Sequence, residues 1–197
     1  GIHLDLGLAS WQIDSSELGI TFLKDQPLDM RLGEMQNVKF KIQNVSAEEI
    51  VNKYSEKKIA DILYQYGDIR QSRKFARKIV EARKIKKIFT TYDLVAALDI
   101  NNPKVLAPIF QALRIEVNQE LDNLKTVLMS AIDIMGQGGR IAVISYHSGE
   151  DRVVKNCFRD NKDRIKILTK KPIVASLDEI NNNSRARSAK MRVAERI

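Results

Sequence analysis

Apolar residues recur at Ile109, Leu113, Val117, Leu121, Leu124, Leu128, Ile132 and Met135, in steps of three and four. That spacing predicts one amphipathic helix over 108–135, with Pro108 in its first turn and GQGG (136–139) ending it. RIAVISY follows as a nearly unbroken apolar run and predicts a parallel strand covered on both faces. Ser148 then reads as a helix cap with Asp151 at the third position, and Val153, Val154, Cys157 and Phe158 give that helix a buried side. RIKILTK (164–170) reads as a strand. Near the end, Ala189, Met191, Val193 and Ile197 alternate with Lys190, Arg192 and Arg196, which predicts a half-exposed antiparallel strand.

Upstream, IHLDLGL (2–8) reads as a short strand ending in Asp5-Leu6-Gly7. Residues 9–33 carry turn residues, including Gly19, Pro27 and Gly33, yet Trp11, Ile20, Phe22 and Met30 argue for an ordered, functional loop. From Ser46 the pattern becomes helical. Ser46 and Glu49 form a capping box, and Ile59, Ile62 and Leu63 share one face before Gly67. Residues 69–87 predict a basic helix with Phe75, Ile79 and Ala82 turned to a core. A shorter helix starts near Thr91. The outer parts therefore read as α/β and the middle as an all-helical insertion.

The chain has 197 residues, a net charge of +8 and one cysteine, Cys157. An internal disulfide is excluded, and a reducing compartment fits. No apolar run reaches the ~20 residues of a membrane helix, and no targeting signature opens the chain. The positive charge favours a polyanionic partner, nucleic acid first. Arg70, Arg73, Lys74, Arg77, Lys78, Arg83 and Lys84 concentrate it in the basic helix region, offset only by Glu81.

Candidate chemistry gathers at two strand ends, Asp5-Leu6-Gly7 and Tyr146-His147-Ser148-Gly149-Glu150-Asp151. Ligands of open parallel sheets bind beyond such carboxyl ends, so the two are expected to be walls of one pocket. The plain reading of His147 is a capping turn, and that of Glu150 and Asp151 is macrodipole stabilisation of a first helical turn. A nucleophile elbow, G-x-S-x-G, is absent, which argues against a serine hydrolase. Two histidines and one cysteine are too few for a zinc centre, and no metal is expected.

LDLGLASWQID, DQPLDMRL, YGDIRQSRKFARKIVEAR, FQALRIEVNQEL, GGRIAVISYHSGEDRVVK and NSRARSAKMRVAER occur in that order. Together they resemble the bacterial ribosomal RNA small subunit methyltransferase H family over nearly the whole chain. The resemblance implies S-adenosylmethionine-dependent methylation of the N4 amino group of a cytosine in 16S rRNA. It also implies a partial Rossmann-like methyltransferase sheet interrupted by an inserted all-helical domain. On that basis 1–33 holds the fourth strand and active-site loop, 34–107 the helical substrate-recognition domain, and 108–197 the C-terminal half of the core. The chain departs from the family at Ala9, Gln26, Pro108 and Gly149. It also begins, at Gly1, beyond the family's glycine-rich donor segment. The expectation is that upstream material is absent and that 197 residues alone bind the donor poorly.

Carried over residue by residue, Asp5 and Gln12 match the positions that contact the methyl donor. Ser10, Asp29 and His147 are the catalytic candidates around the cytosine, and Trp11 and Tyr146 the aromatic candidates to stack on it. Arg70, Arg73, Lys74, Arg77, Lys78, Arg185, Arg187 and Lys190 are the candidates for rRNA phosphates. The expected partner is small-subunit rRNA or the assembled small subunit, in a cytoplasm or an organelle of bacterial descent, with no membrane role. The sequence leaves the oligomeric state open. The rival expectation is a catalytically reduced RNA-binding or ribosome-assembly protein on the same scaffold. A small-molecule methyltransferase is a third, against which the basic insertion argues.

Overall fold

The computed structural model describes residues 1–8, 17–32 and 45–197. In chain order the first elements are β1 (Ile2–Asp5), α1 (Ala47–Lys53), α2 (Glu56–Gly67), α3 (Ser72–Ile85), α4 (Thr91–Leu98) and α5 (Pro103–Asn118). Then come α6 (Glu120–Ile134), β2 (Arg140–Ser145), α7 (Ser148–Asp160), β3 (Ile165–Ile167), β4 (Ile173–Val174), α8 (Leu177–Asn182), a 3-10 helix (Ser184–Ser188) and β5 (Lys190–Arg196). The chain divides into two compact units, residues 1–8 with 120–197, and residues 9–119. This is an open mixed sheet with flanking helices, a Rossmann-like fold interrupted along the sequence by helices.

In the α/β unit, β1 pairs parallel with β2, Asp5 lying opposite Ile144. β5 runs antiparallel to β2, β3 and β4. Helices α6 and α7 pack together. The core holds Leu128, Ile132, Ile141, Val143, Val154, Phe158 and Ala194. The helical unit has its own core, built on Ile50, Ile59, Leu63, Ile79, Leu94, Leu98, Ile109 and Leu113. Among the described residues, no helix is long and apolar enough to cross a membrane.

Three local expectations are corrected. The helix expected over 108–135 is two helices, α5 and α6, because Gln119 adopts a left-handed φ of 51° and accepts the chain reversal of a C-cap. α5 starts earlier, at an Asn102 cap with Pro103 in the first turn, and Pro108 lies inside it. Ile109, Phe110, Leu113 and Val117 of α5 pack in the core of the helical unit. The cap of α7 is His147 rather than Ser148, and its box partner is Glu150. In β5, the residues that are buried are Arg192 and Ala194, while Met191 and Val193 are only partly covered. A hydropathy pattern misassigns that face because the arginine there is neutralised by Asp151.

Candidate functional site

The two expected strand ends meet. Beyond the β1–β2 ladder, the Leu6 N–H donates to the Ile144 carbonyl at 3.0 Å, and Gly7 turns the chain at φ 89°. The Tyr146 hydroxyl donates to Asp5 Oδ1 at 3.0 Å. Burial first, then the hydrogen bond and charge of Asp5, pushes the Tyr146 phenol above its ordinary value. The hydroxyl therefore stays protonated, and a donor, at neutral pH.

Glu150 organises the second strand end. Its Oε2 accepts the N–H of Tyr146 at 2.8 Å and that of His147 at 3.3 Å. Burial pushes this carboxyl up, but the His147 ring and the two backbone N–H groups outweigh it and hold it below the usual range. His147 Nδ1 in turn accepts the Glu150 N–H at 3.4 Å. The sequence alternative of a capping histidine thus describes its local role. Asp151, the next residue, forms a two-point pair with Arg192 at 2.6 and 3.0 Å and ties α7 to β5.

Glu120, His147 and Glu150 bring ligand-type atoms within 4.8 Å of one another. The hydrogen bonds do not suit a metal centre. Because Nδ1 is an acceptor, a neutral His147 ring carries its hydrogen on Nε2. Nε2 lies 3.3 Å from Glu150 Oε1 but makes no aligned hydrogen bond, and it is buried. Both ring nitrogens thus face inward, Nδ1 on the helix cap and Nε2 toward Glu150.

In the helical unit, the PLDMR segment is fixed at every residue. Pro27 bridges to Thr90, and Gly19 approaches so closely that a Cβ would lie 2.2 Å from the Pro27 carbonyl oxygen. Leu28 and Met30 are buried, and Met30 holds a left-handed φ of 63°. Asp29 Oδ1 accepts from Arg31 Nε at 2.6 Å, and Oδ2 accepts from Arg31 Nη2 at 2.7 Å. The Arg31 hydrogen bond holds the Asp29 carboxyl below its usual range, against the opposing pull of burial. Asp29 is therefore an ionised acceptor at neutral pH.

Ser10, Gln12 and Trp11 lie outside the described residues. Of the phosphate candidates, Arg70 lies in the turn before α3, and Arg73, Lys74 and Arg77 are exposed on the face opposite Phe75 and Ile79. Arg77 faces Glu56 at 3.8 Å. Lys78 is partly covered and donates to the Leu98 carbonyl at 2.8 Å, closing the C-terminal end of α4. Arg83, also in the basic run, donates to the carbonyls of Val51 and Tyr54 at the end of α1. Arg185 and Arg187 are exposed on the 3-10 helix, and Lys190 opens β5. Sequence reasoning missed the Tyr146–Asp5 contact and the hold of Asn118 on the PLDMR segment, where its side-chain amide donates to the Met30 carbonyl. An aromatic next to a strand end was the only available signal for the first.

The MraW methylase family pattern matches residues 1–197. The Ribosomal RNA small subunit methyltransferase H of Chloroherpeton thalassium is 44% identical over 222 aligned positions, covering 100% of this chain and 67% of that protein. Proteins of the same name from Picosynechococcus sp. and Synechococcus elongatus are 46% and 42% identical, covering 99% and 100% of this chain and 66% of each. The chain spans about two thirds of the length of the relatives it matches. With a match along its whole length and close relatives of one kind, the chain belongs to the MraW methylase family.

Proposed function

We propose that the protein carrying this chain transfers a methyl group from S-adenosylmethionine to the N4 amino group of a cytosine in 16S-type small-subunit rRNA. The observation that carries this reading is the meeting of the two strand ends, Asp5 held by Tyr146 beside the Glu150-anchored turn, in a member of this family. A carboxylate at the carboxyl end of a parallel strand, with a glycine turn next to it, suits the hydroxyl and amino groups of such a donor. Asp5 would hold it, together with Gln12. When bound, the donor supplies an electrophilic methyl on a sulfonium.

The chain's own contribution is placement and electrostatics. The cytosine N4 lone pair is delocalised into the ring, so an acceptor for an N4 hydrogen favours attack and takes up developing positive charge. Asp29, kept ionised by Arg31, is the candidate acceptor, with Ser10 the second. His147 acts by setting the start of α7 and the turn that carries Tyr146, since its Nε2 is buried. Arg70, Arg73, Lys74 and Arg77, with Arg185, Arg187 and Lys190, supply phosphate contacts, and the segment 34–107 is the substrate-recognition part. The base must leave its stack to react. The substrate places the reaction where small subunits are assembled, in a bacterial cytoplasm or an organelle of bacterial descent.

The test is methyl transfer by the natural polypeptide to small subunits lacking the modification, read by mass spectrometry of the released nucleosides. N4-methylated cytidine is the expected product. Asp29→Asn should lower turnover about a hundredfold or more, in the range of lost acid–base assistance. Salt-dependent rRNA binding with no transferred methyl would instead establish the RNA-binding assembly reading.

A further inference from the structure

We infer that Tyr146 is a positioning residue for the methyl donor, acting through the carboxylate of Asp5 rather than by stacking on the base. This rests on the proposed donor role of Asp5.

Asp5 is the last residue of β1, and its side chain is on the exposed side of the strand. Its backbone is fixed by the β1–β2 ladder and by the Leu6 to Ile144 hydrogen bond. Its carboxylate is not fixed by that ladder; an exposed aspartate samples several rotamers. The Tyr146 hydroxyl, 3.0 Å from Oδ1, selects one. Among the described residues Asp5 makes no other side-chain hydrogen bond or ion pair, and the Tyr146 bond engages Oδ1 alone.

Tyr146 is itself well anchored for this task. Its N–H is bonded to the buried Glu150 carboxylate at 2.8 Å. Its ring runs alongside Gly7, where a Cβ would meet Tyr146 Cδ2 at 3.6 Å, an ordinary contact distance. The ring thus lies along the glycine turn with its hydroxyl directed to Asp5. A base-stacking residue would need a free ring and no particular hydroxyl partner. The geometry here uses the hydroxyl.

Ordering a polar side chain before a ligand arrives lowers the cost of binding it. Tyr146→Phe keeps the ring and removes only the hydroxyl. The expected result is a rise of about threefold to tenfold in the donor Kd and in the donor KM, as for one side chain left to be ordered on binding. The KM for the RNA substrate, the kcat at saturating donor and the melting temperature should stay close to those of the unaltered protein. Asp5→Asn is measured in parallel and should weaken the donor more strongly. The double variant should be no worse than Asp5→Asn alone, because Tyr146 acts only through that carboxylate.

The outcomes separate the two ideas. If Asp5→Asn weakens the donor while Tyr146→Phe does not, the positioning role is overturned and the donor role of Asp5 stands. If Tyr146→Phe raises the RNA KM and leaves the donor KM alone, the tyrosine belongs to the base side and the inference is again overturned. If Asp5→Asn leaves donor affinity unchanged, the donor reading of Asp5 fails and the inference fails with it. Calorimetry with S-adenosylmethionine on the natural polypeptide provides the Kd without reliance on turnover.

Discussion

At the scale of single residues, one amide holds a loop across most of the helical unit's sequence. Asn118 donates to the carbonyls of Met30 at 2.8 Å and Arg114 at 2.9 Å, and accepts the Leu32 N–H at 2.9 Å. Between those two loop contacts lie the left-handed Met30 backbone and Arg31, the partner of Asp29. A left-handed backbone costs an L residue about 1–2 kcal/mol, so the surrounding bonds must impose it. Asn118→Ala leaves a partly buried carbonyl and N–H without their partner. Urea unfolding should show a loss of about 1–3 kcal/mol. Asn118→Asp should rescue little, since a carboxylate accepts from Leu32 but cannot donate to Met30. None of this was legible from the sequence. A lone asparagine at the end of a helix carries no signal of a partner 86 residues away. Asp29, by contrast, was legible as a site candidate through the motif around it, although its pairing with Arg31 was not.

Between elements, the Asp151–Arg192 pair joins α7 to β5, with side chains only 15% and 9% exposed. Asp151→Ala should cost about 3–5 kcal/mol, because it leaves a buried guanidinium uncompensated. Replacing both partners with apolar residues of similar volume should cost much less. The same pair gives a pH dependence. The Arg192 hydrogen bond chiefly, opposed by burial, holds the Asp151 carboxyl below its ordinary value of 3.8. Its stabilisation is therefore fully present above that value and is lost as pH falls through the lower folded-state value. Acid unfolding followed by circular dichroism should show Asp151→Asn with a flatter stability profile below pH 4, on the order of that reference value. Elements with strong local signals were readable in advance. The Ser46–Glu49 box starts α1 where expected. The β5 register was not readable, because an arginine buried by pairing looks like a solvent-facing residue in any hydropathy pattern. The break at Gln119 was also hidden, since the apolar stripe continues through it while the backbone does not.

For the whole molecule, the excess of eight positive charges is spread unevenly in its use. Some basic residues serve the fold and others lie exposed at the surface. Arg73 and Lys74 are exposed, whereas Arg83 and Lys78 close the ends of α1 and α4. The salt dependence of rRNA binding should separate the classes. Arg73→Ala with Lys74→Ala should lower the slope of log K against log salt by about one to two, at roughly 0.7–0.9 per phosphate. Lys78→Ala should leave the slope alone and lower thermal stability. The α/β and helical classes of the fold were legible from periodicity alone. The specific chemistry was legible only through the ordered motif blocks, because charge and strand ends by themselves fit many nucleic-acid-binding proteins. The division of labour among the lysines has a practical outcome for footprinting with amine-reactive reagents. The ammonium of Lys78, engaged by the Leu98 carbonyl, should acylate slowly in both free and RNA-bound protein. It can serve as an internal standard, against which protection of Lys74 reports the bound RNA.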